Sequence, residues 1–305
     1  MRVTQGMLSN NMLRNMSNSY NSLGKYMDQL ATGKKINKPS DDPVVAMKGM
    51  NYRSELKNVE QYQRNISEVH NWMDNSDSAL DQTTSTLHRL RELAVQSANG
   101  TYDKDQREAI AAEVDQLKEH LVGISNTKVN GKYIFNGTKT TGDGPVKLDA
   151  NGMVISTPDQ EGLIDSKKTV LIEVSRGTSI QANIDPTSIF TKSFFEEIEN
   201  FSSALKADEV NFDQSKLGTA ISKMDDNINV VVNARADLGA RMNRLDLIEN
   251  RVADQEVSAT KKMSDNEDAD MEKVMIGLTA QESIHRAALS AGARVIQPTL
   301  LDFLR

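Results

Sequence analysis

Apolar residues return at alternating steps of three and four along the start of the chain: Leu13, Met16, Tyr20, Leu23, Met27 and Leu30. A period near 3.5 residues predicts a helix whose apolar stripe is meant for another helix. Gly33 stops it. After KINKPSDD, Asp42 is placed to cap a second helix with Pro43 at its first position, where the missing N–H costs nothing. The seam of that helix runs Val59, Tyr62, Ile66, Val69, Met73, Ser76, Leu80, Thr83, Leu87, Leu90 and Ala94, and Asn99 and Gly100 close it. At ~1.5 Å per residue, positions 59–97 alone would span roughly 58 Å. Asp103 and Gln106 then form a capping pair for a third helix that carries Ile110, Val114, Leu117, Leu121 and Ile124.

From about Asn130 the period changes. Asn130-Gly131, Asn136-Gly137 and Asn151-Gly152 are hairpin-closing dipeptides, and Thr169 to Val174 should pair with Ser179 to Ile184 across Arg176-Gly177. Helical spacing resumes at Phe194, Ile198, Phe201 and Leu205. A second long seam follows through Leu217, Ile221, Met224, Ile228, Val231, Leu238, Met242, Leu245, Val252, Ala259 and Met263. SDNEDAD interrupts it and reads as a solvated acidic link. The last helix shows Met271, Val274, Leu278, Ala288 and Val295 on one face, before Pro298 and the apolar tail that holds Leu301 and Phe303.

The fold expected is mainly α with a small β insert: a coiled-coil helical bundle, elongated, formed by both chain ends around a β-hairpin-rich centre. Its divisions fall at 1–40, an N-terminal arm; 41–137, a long-helix bundle; 138–192, the β domain; 193–264, a second long-helix bundle; and 265–305, a C-terminal arm. Each arm carries a stripe that no single helix can bury for itself, so the arms should pair with each other and with neighbouring subunits.

Composition narrows the function. The formal net charge is −7 and basic residues are scattered among acidic ones, so the positive stripe of a nucleic-acid binder is missing. No run is apolar enough for membrane insertion, and the first residues lack the apolar core of a cleaved signal. With no cysteine there are no disulfides, thiolate metal sites or thiol nucleophiles.

Little catalytic chemistry is visible. His70, His88, His120 and His285 form no two-histidine metal motif. Glu282 and His285 make one E-x-x-H, whereas a helical di-iron site needs two such pairs and two further glutamates. The stretch starting at Asp265 would be a poor calcium loop, with Asp270 where glycine belongs and Ile276 where the bidentate glutamate belongs. Asp41 and Asp42 read as helix capping. Neither an enzyme nor a cofactor or metal site is expected.

Three segments carry a resemblance: LATGKKINKPSDDP, LRELAVQSANGTYDKDQREAIAAEVDQL and AALSAGARVIQPTLLDFLR. In order and at both ends the chain resembles the flagellin superfamily, over most of 1–137 and 195–305. KPSDDP, GKYIFNGTKT and the ending QPTLLDFLR are more similar to its hook-associated branch than to the filament subunit. The resemblance implies a bacterial flagellar subunit at the hook–filament junction, needed for motility, and exported unfolded by the type III apparatus with a dedicated export chaperone. It would contact hook-associated protein 1, flagellin and copies of itself in a ring. A filament subunit is the alternative. The arms would form the inner wall through Leu13, Met16, Tyr20, Leu23, Met27, Leu30, Met271, Val274, Leu278, Val295, Leu301 and Phe303. Arg89, within LHRLRELAVQSANGT, matches the key arginine of a flagellin segment read by an innate immune receptor.

Overall fold

The computed structural model describes residues 5–98, 102–149, 152–159, 168–207 and 214–295, with only the backbone given for Gln5, Arg294 and Val295. Within them the chain forms six α-helices: α1 (Gln5–Thr32), α2 (Pro43–Ala98), α3 (Lys104–Ser125), α4 (Lys192–Lys206), α5 (Gln214–Glu267) and α6 (Met271–Val295). Between α3 and α4 lie three two-stranded antiparallel ribbons. These pair β1 (Lys128–Val129) with β2 (Lys132–Tyr133), β3 (Lys147–Leu148) with β4 (Val154–Ser156), and β5 (Leu171–Ser175) with β6 (Thr178–Gln181). The architecture is therefore mainly helical with a small β-hairpin-rich insert. It divides into a terminal unit, Met1–Val59 with Asp254–Arg305, and a central unit, Glu60–Ala253.

Helix ends form where local chemistry requires. The Asp42 carboxylate accepts from the N–H groups of Val44 and Val45 at 3.0 and 3.1 Å, with Pro43 at the first helical position. Gly33, at φ 68°, takes the left-handed turn that ends α1. The Asp103 N–H reaches back to the Gln106 side chain. The proposed closure of α2 at Asn99 and Gly100 lies outside the described residues.

The central unit buries its seam. Ile66, Val69, Met73, Leu80, Leu87, Leu90 and Ala94 of α2 are buried, as are Leu217, Met224, Val231, Leu238, Leu245 and Val252 of α5. Ser76 and Thr83 interrupt the apolar row without leaving an orphan, because their hydroxyls donate to the carbonyls of Trp72 and Ala79 at 2.8 Å. Arg235 of α5 forks onto Asp77 and Asp81 of α2, and Arg91 pairs with Asp225, so the two long helices run antiparallel. Under the β insert, Phe135, Phe190, Phe194 and Phe195 form an aromatic cluster with ring centroids 4.9–6.5 Å apart.

The hairpin across Arg176-Gly177 forms with shorter strands than the alternation suggests. Its register shifts between Glu173 and Ser175, which turns both Val174 and Ser175 inward. Beyond β6 the Asn183 side chain replaces ladder bonds, accepting from the Val170 N–H and donating to the Lys168 carbonyl. Asn130 and Gly131 both have positive φ, as a two-residue hairpin turn requires. Asn136-Gly137 joins no strands; it makes a turn closed from Lys139 N–H to the Asn136 carbonyl. Asn151 lies outside the described residues.

Candidate assembly interface

In the terminal unit α1 packs along α6. The side of α1 against α6 carries Met12, Met16, Ser19, Leu23, Tyr26 and Leu30, again at steps of three and four. Small residues on α6 let the helices approach. A Cβ added at Gly277 would lie 2.8 Å from the Tyr26 ring, and one at Gly292 would lie 2.9 Å from Met12 Cε. The polar member of the seam is satisfied, since Gln281 Nε2 donates to Ser19 Oγ at 3.0 Å.

The row expected from periodicity therefore divides. Met16, Leu23 and Leu30 are half-buried, whereas Leu13, Tyr20 and Met27 are 51%, 66% and 55% exposed. Those three stand seven residues apart, which makes a second stripe on α1. Helix α6 also leaves apolar residues uncovered. Val274 is buried and Leu278 half-buried, but Met271, Met275, Ile276, Ile284 and Leu289 face outward. The side chain of Val295, and Leu301 and Phe303 entirely, lie outside the described residues.

The acidic stretch at 264–270 is more than a solvated link: Asp265, Asp268 and Asp270 are exposed, but Glu267 is buried. Helix α5 continues through Glu267, whose side chain is only 5% exposed and bonds Arg53 at 2.6 Å, with Lys34 at 3.7 Å. Lys34 and Asp268 form an antiparallel bridge and an ion pair at 2.6 Å. Main-chain bonds run from Lys35 N–H to the Glu267 carbonyl and from Ala269 N–H to the Gly33 carbonyl. Asn266 Nδ2 donates to the Val45 carbonyl. Gly49 leaves room for all this, because a Cβ there would sit 2.6 Å from Glu267 Oε1. The turn after α1 is thus latched to the turn before α6. Lys34 and Ser264 hold the Asp268 carboxyl below its ordinary value, and Glu267 raises the Arg53 guanidinium. Residues more than two hundred positions apart make this latch, so only the burial of Glu267 in three dimensions reveals it.

Of the histidines, His285 lies against Tyr20 with centroids 6.1 Å apart, and Glu282 pairs with Arg286 at 3.5 Å, so the E-x-x-H does not converge on one point. His70 of α2 meets Asp246 and Glu249 of α5 at 3.6 and 3.1 Å, with the three donor groups within 4.8 Å of one another. Asp246 and Glu249 stand three residues apart on α5, but nothing local in the sequence points to the distant imidazole. Their contact adds a further cross-link between the long helices. Arg89 is half-exposed and already engaged, bonding Glu113 of α3 at 2.8 Å and Glu92 at 3.1 Å, and a receptor would have to compete with both.

Known proteins resemble the chain over these same helices. A model of the bacterial flagellin N-terminal helical region matches residues 3–140, and one of the flagellin C-terminal helical region matches 221–304. The flagellar hook-associated protein 3 of Escherichia coli (strain K12) is 25% identical over 305 residues, spanning 95% of this chain and 96% of that protein. The flagellin of Bacillus subtilis (strain 168) is 26% identical over 322 residues, spanning all of both. The crystal structure of flagellar hook-associated protein 3 from Legionella pneumophila shares the fold, with a TM-score of 0.60 at 15% identity over 71% of this chain and 99% of that one. No helix among the described residues is long and apolar enough to cross a membrane.

Proposed function

Because this chain belongs to the flagellin superfamily, we propose that it is a structural subunit of the bacterial flagellum that joins the hook to the flagellin filament, and not an enzyme. Its place is extracellular, on the flagellum. It meets hook-associated protein 1 on one side, flagellin on the other and copies of itself around a ring, after export without a cleaved signal and in the care of a chaperone. The observation that carries the reading is the second stripe on α1: Leu13, Tyr20 and Met27 remain exposed after α6 has covered the first. Two-faced amphipathic helices are what a tube wall needs, one face closing the subunit and the other closing the lattice. The long helices of the central unit, with their buried seam and charged cross-links, give such a subunit a rod able to transmit torque.

Overall identity does not separate a junction subunit from a filament subunit, since 25% and 26% are equivalent. The hook-associated reading rests on KPSDDP, GKYIFNGTKT and QPTLLDFLR. Electron microscopy of cells lacking the gene tests it. Intact hooks, no filaments and unpolymerised flagellin in the medium are expected. Hooks with complete junctions and no filament protein made would instead identify a filament subunit.

A further inference from the structure

Methionine is unevenly placed in this chain. Of fourteen large apolar residues exposed among the described residues of the terminal unit, six are methionine: Met7, Met27, Met47, Met50, Met271 and Met275. In the central unit the corresponding count is one of seven, Met153, while Met73 and Met224 are buried. The six lie on three helices beside other exposed apolar residues. Met27 continues the Leu13–Tyr20 row of α1, Met47 and Met50 extend Val44 on α2, and Met271 and Met275 adjoin Ile276 on α6.

We propose that these methionines make the assembly face adaptable and, by the same chemistry, oxidation-sensitive, so that conversion to methionine sulfoxide in the free subunit blocks its incorporation. This rests on the reading of the terminal unit as the assembly interface. An unbranched, polarisable thioether fits unlike neighbours better than a branched side chain, as a subunit seated between two different lattices requires. The exposed sulfur is also a nucleophile. Its lone pair attacks one oxygen of a peroxide, the O–O bond breaks, an S=O bond forms, and the other oxygen leaves as water after proton transfer. Sulfur loses two electrons and the peroxide gains them. The product is polar and chiral, and a sulfoxide enters an apolar helix–helix contact only by burying an unsatisfied oxygen. Once a neighbour covers the face, the thioethers are shielded, so sensitivity belongs to the unassembled chain.

The test treats purified full-length protein with hydrogen peroxide, maps oxygen addition by peptide mass spectrometry, and adds the protein to hook-bearing cells that lack it while filament regrowth is scored. A variant with all six methionines replaced by leucine and a Leu13→Asp variant run in parallel, with circular dichroism to verify folding. The six exposed methionines of the terminal unit should gain oxygen before the buried Met73 and Met224. Regrowth with oxidised wild type should fall at least tenfold, whereas the leucine variant, which restores filaments less well than untreated wild type, should regrow equally with and without peroxide. Normal regrowth from oxidised wild type, or equal loss in the leucine variant, overturns the inference. If Leu13→Asp still fails to restore filaments in that case, the interface reading stands; if Leu13→Asp restores them, that reading falls as well.

Discussion

The two units use the same heptad grammar to opposite ends. In the central unit the seam of α2 is closed: Ile66, Val69, Met73, Leu80, Leu87 and Leu90 are at most 1% exposed. In the terminal unit, which holds just over a third of the chain, lie fourteen of the twenty-one large apolar residues exposed among the described residues. Isolated surface leucines mean little, but rows repeating at seven on one helix and continuing on another amount to an unfinished core. On the reading proposed above, the difference separates residues that fold the subunit from residues that assemble it.

Mutations at matched positions should break that symmetry most visibly. Leu87→Ala opens a cavity in a filled seam and should destabilise the central unit by about 2–5 kcal/mol in urea unfolding. Leu13→Asp should shift unfolding by no more than about 0.5 kcal/mol, yet abolish incorporation. Gly277→Ala comes next, since its methyl group meets Tyr26 at 2.8 Å. Overpacking there should weaken the α1–α6 pairing by about 1–3 kcal/mol, read as faster proteolysis within α1 while the central unit stays protected.

Effects of similar size or smaller belong to the latch, and their asymmetry is informative. Arg53→Met leaves the buried Glu267 carboxylate with only Lys34 at 3.7 Å, and should destabilise the terminal unit by about 1–3 kcal/mol. Glu267→Gln leaves Arg53 and Lys34 able to hydrate and should do less, because both cations are exposed. Hydrogen exchange at the Lys35 and Ala269 amides reports either change. Acid gives the smallest effect. The Asp268 pKa is depressed in the folded chain, so its contribution is complete above the ordinary carboxylate range and fades as pH falls through the folded value. The same two amides should lose protection there before the central unit does.

Much of this was legible in the sequence because periodicity is local. The seams through Leu87 and Leu238, the cap at Asp42-Pro43 and the turn at Asn130-Gly131 each depend on neighbours within one or two turns of chain. What periodicity lacks is the identity of the partner. A stripe such as Leu13, Met16, Tyr20, Leu23, Met27 and Leu30 states that a helix wants covering. It does not state that α6 covers half of the row and leaves the other half bare. Long-range polar contacts were hidden for the same reason. Glu267 looked like part of a solvated run because its neighbours in sequence are acidic, whereas its partners in space are Arg53 and Lys34. The bulge after Glu173 likewise arises from the cross-strand register and not from a residue type.

The most direct measurement is hydroxyl-radical footprinting of the free subunit against purified hook–filament junctions. Leu13, Tyr20, Met27 and Met275 should react readily in the free chain and become protected in the junction, while Leu171 on the β insert should react equally in both. Equal reactivity of Leu13, Tyr20 and Met27 in the two states would contradict the assignment of the second α1 stripe to assembly.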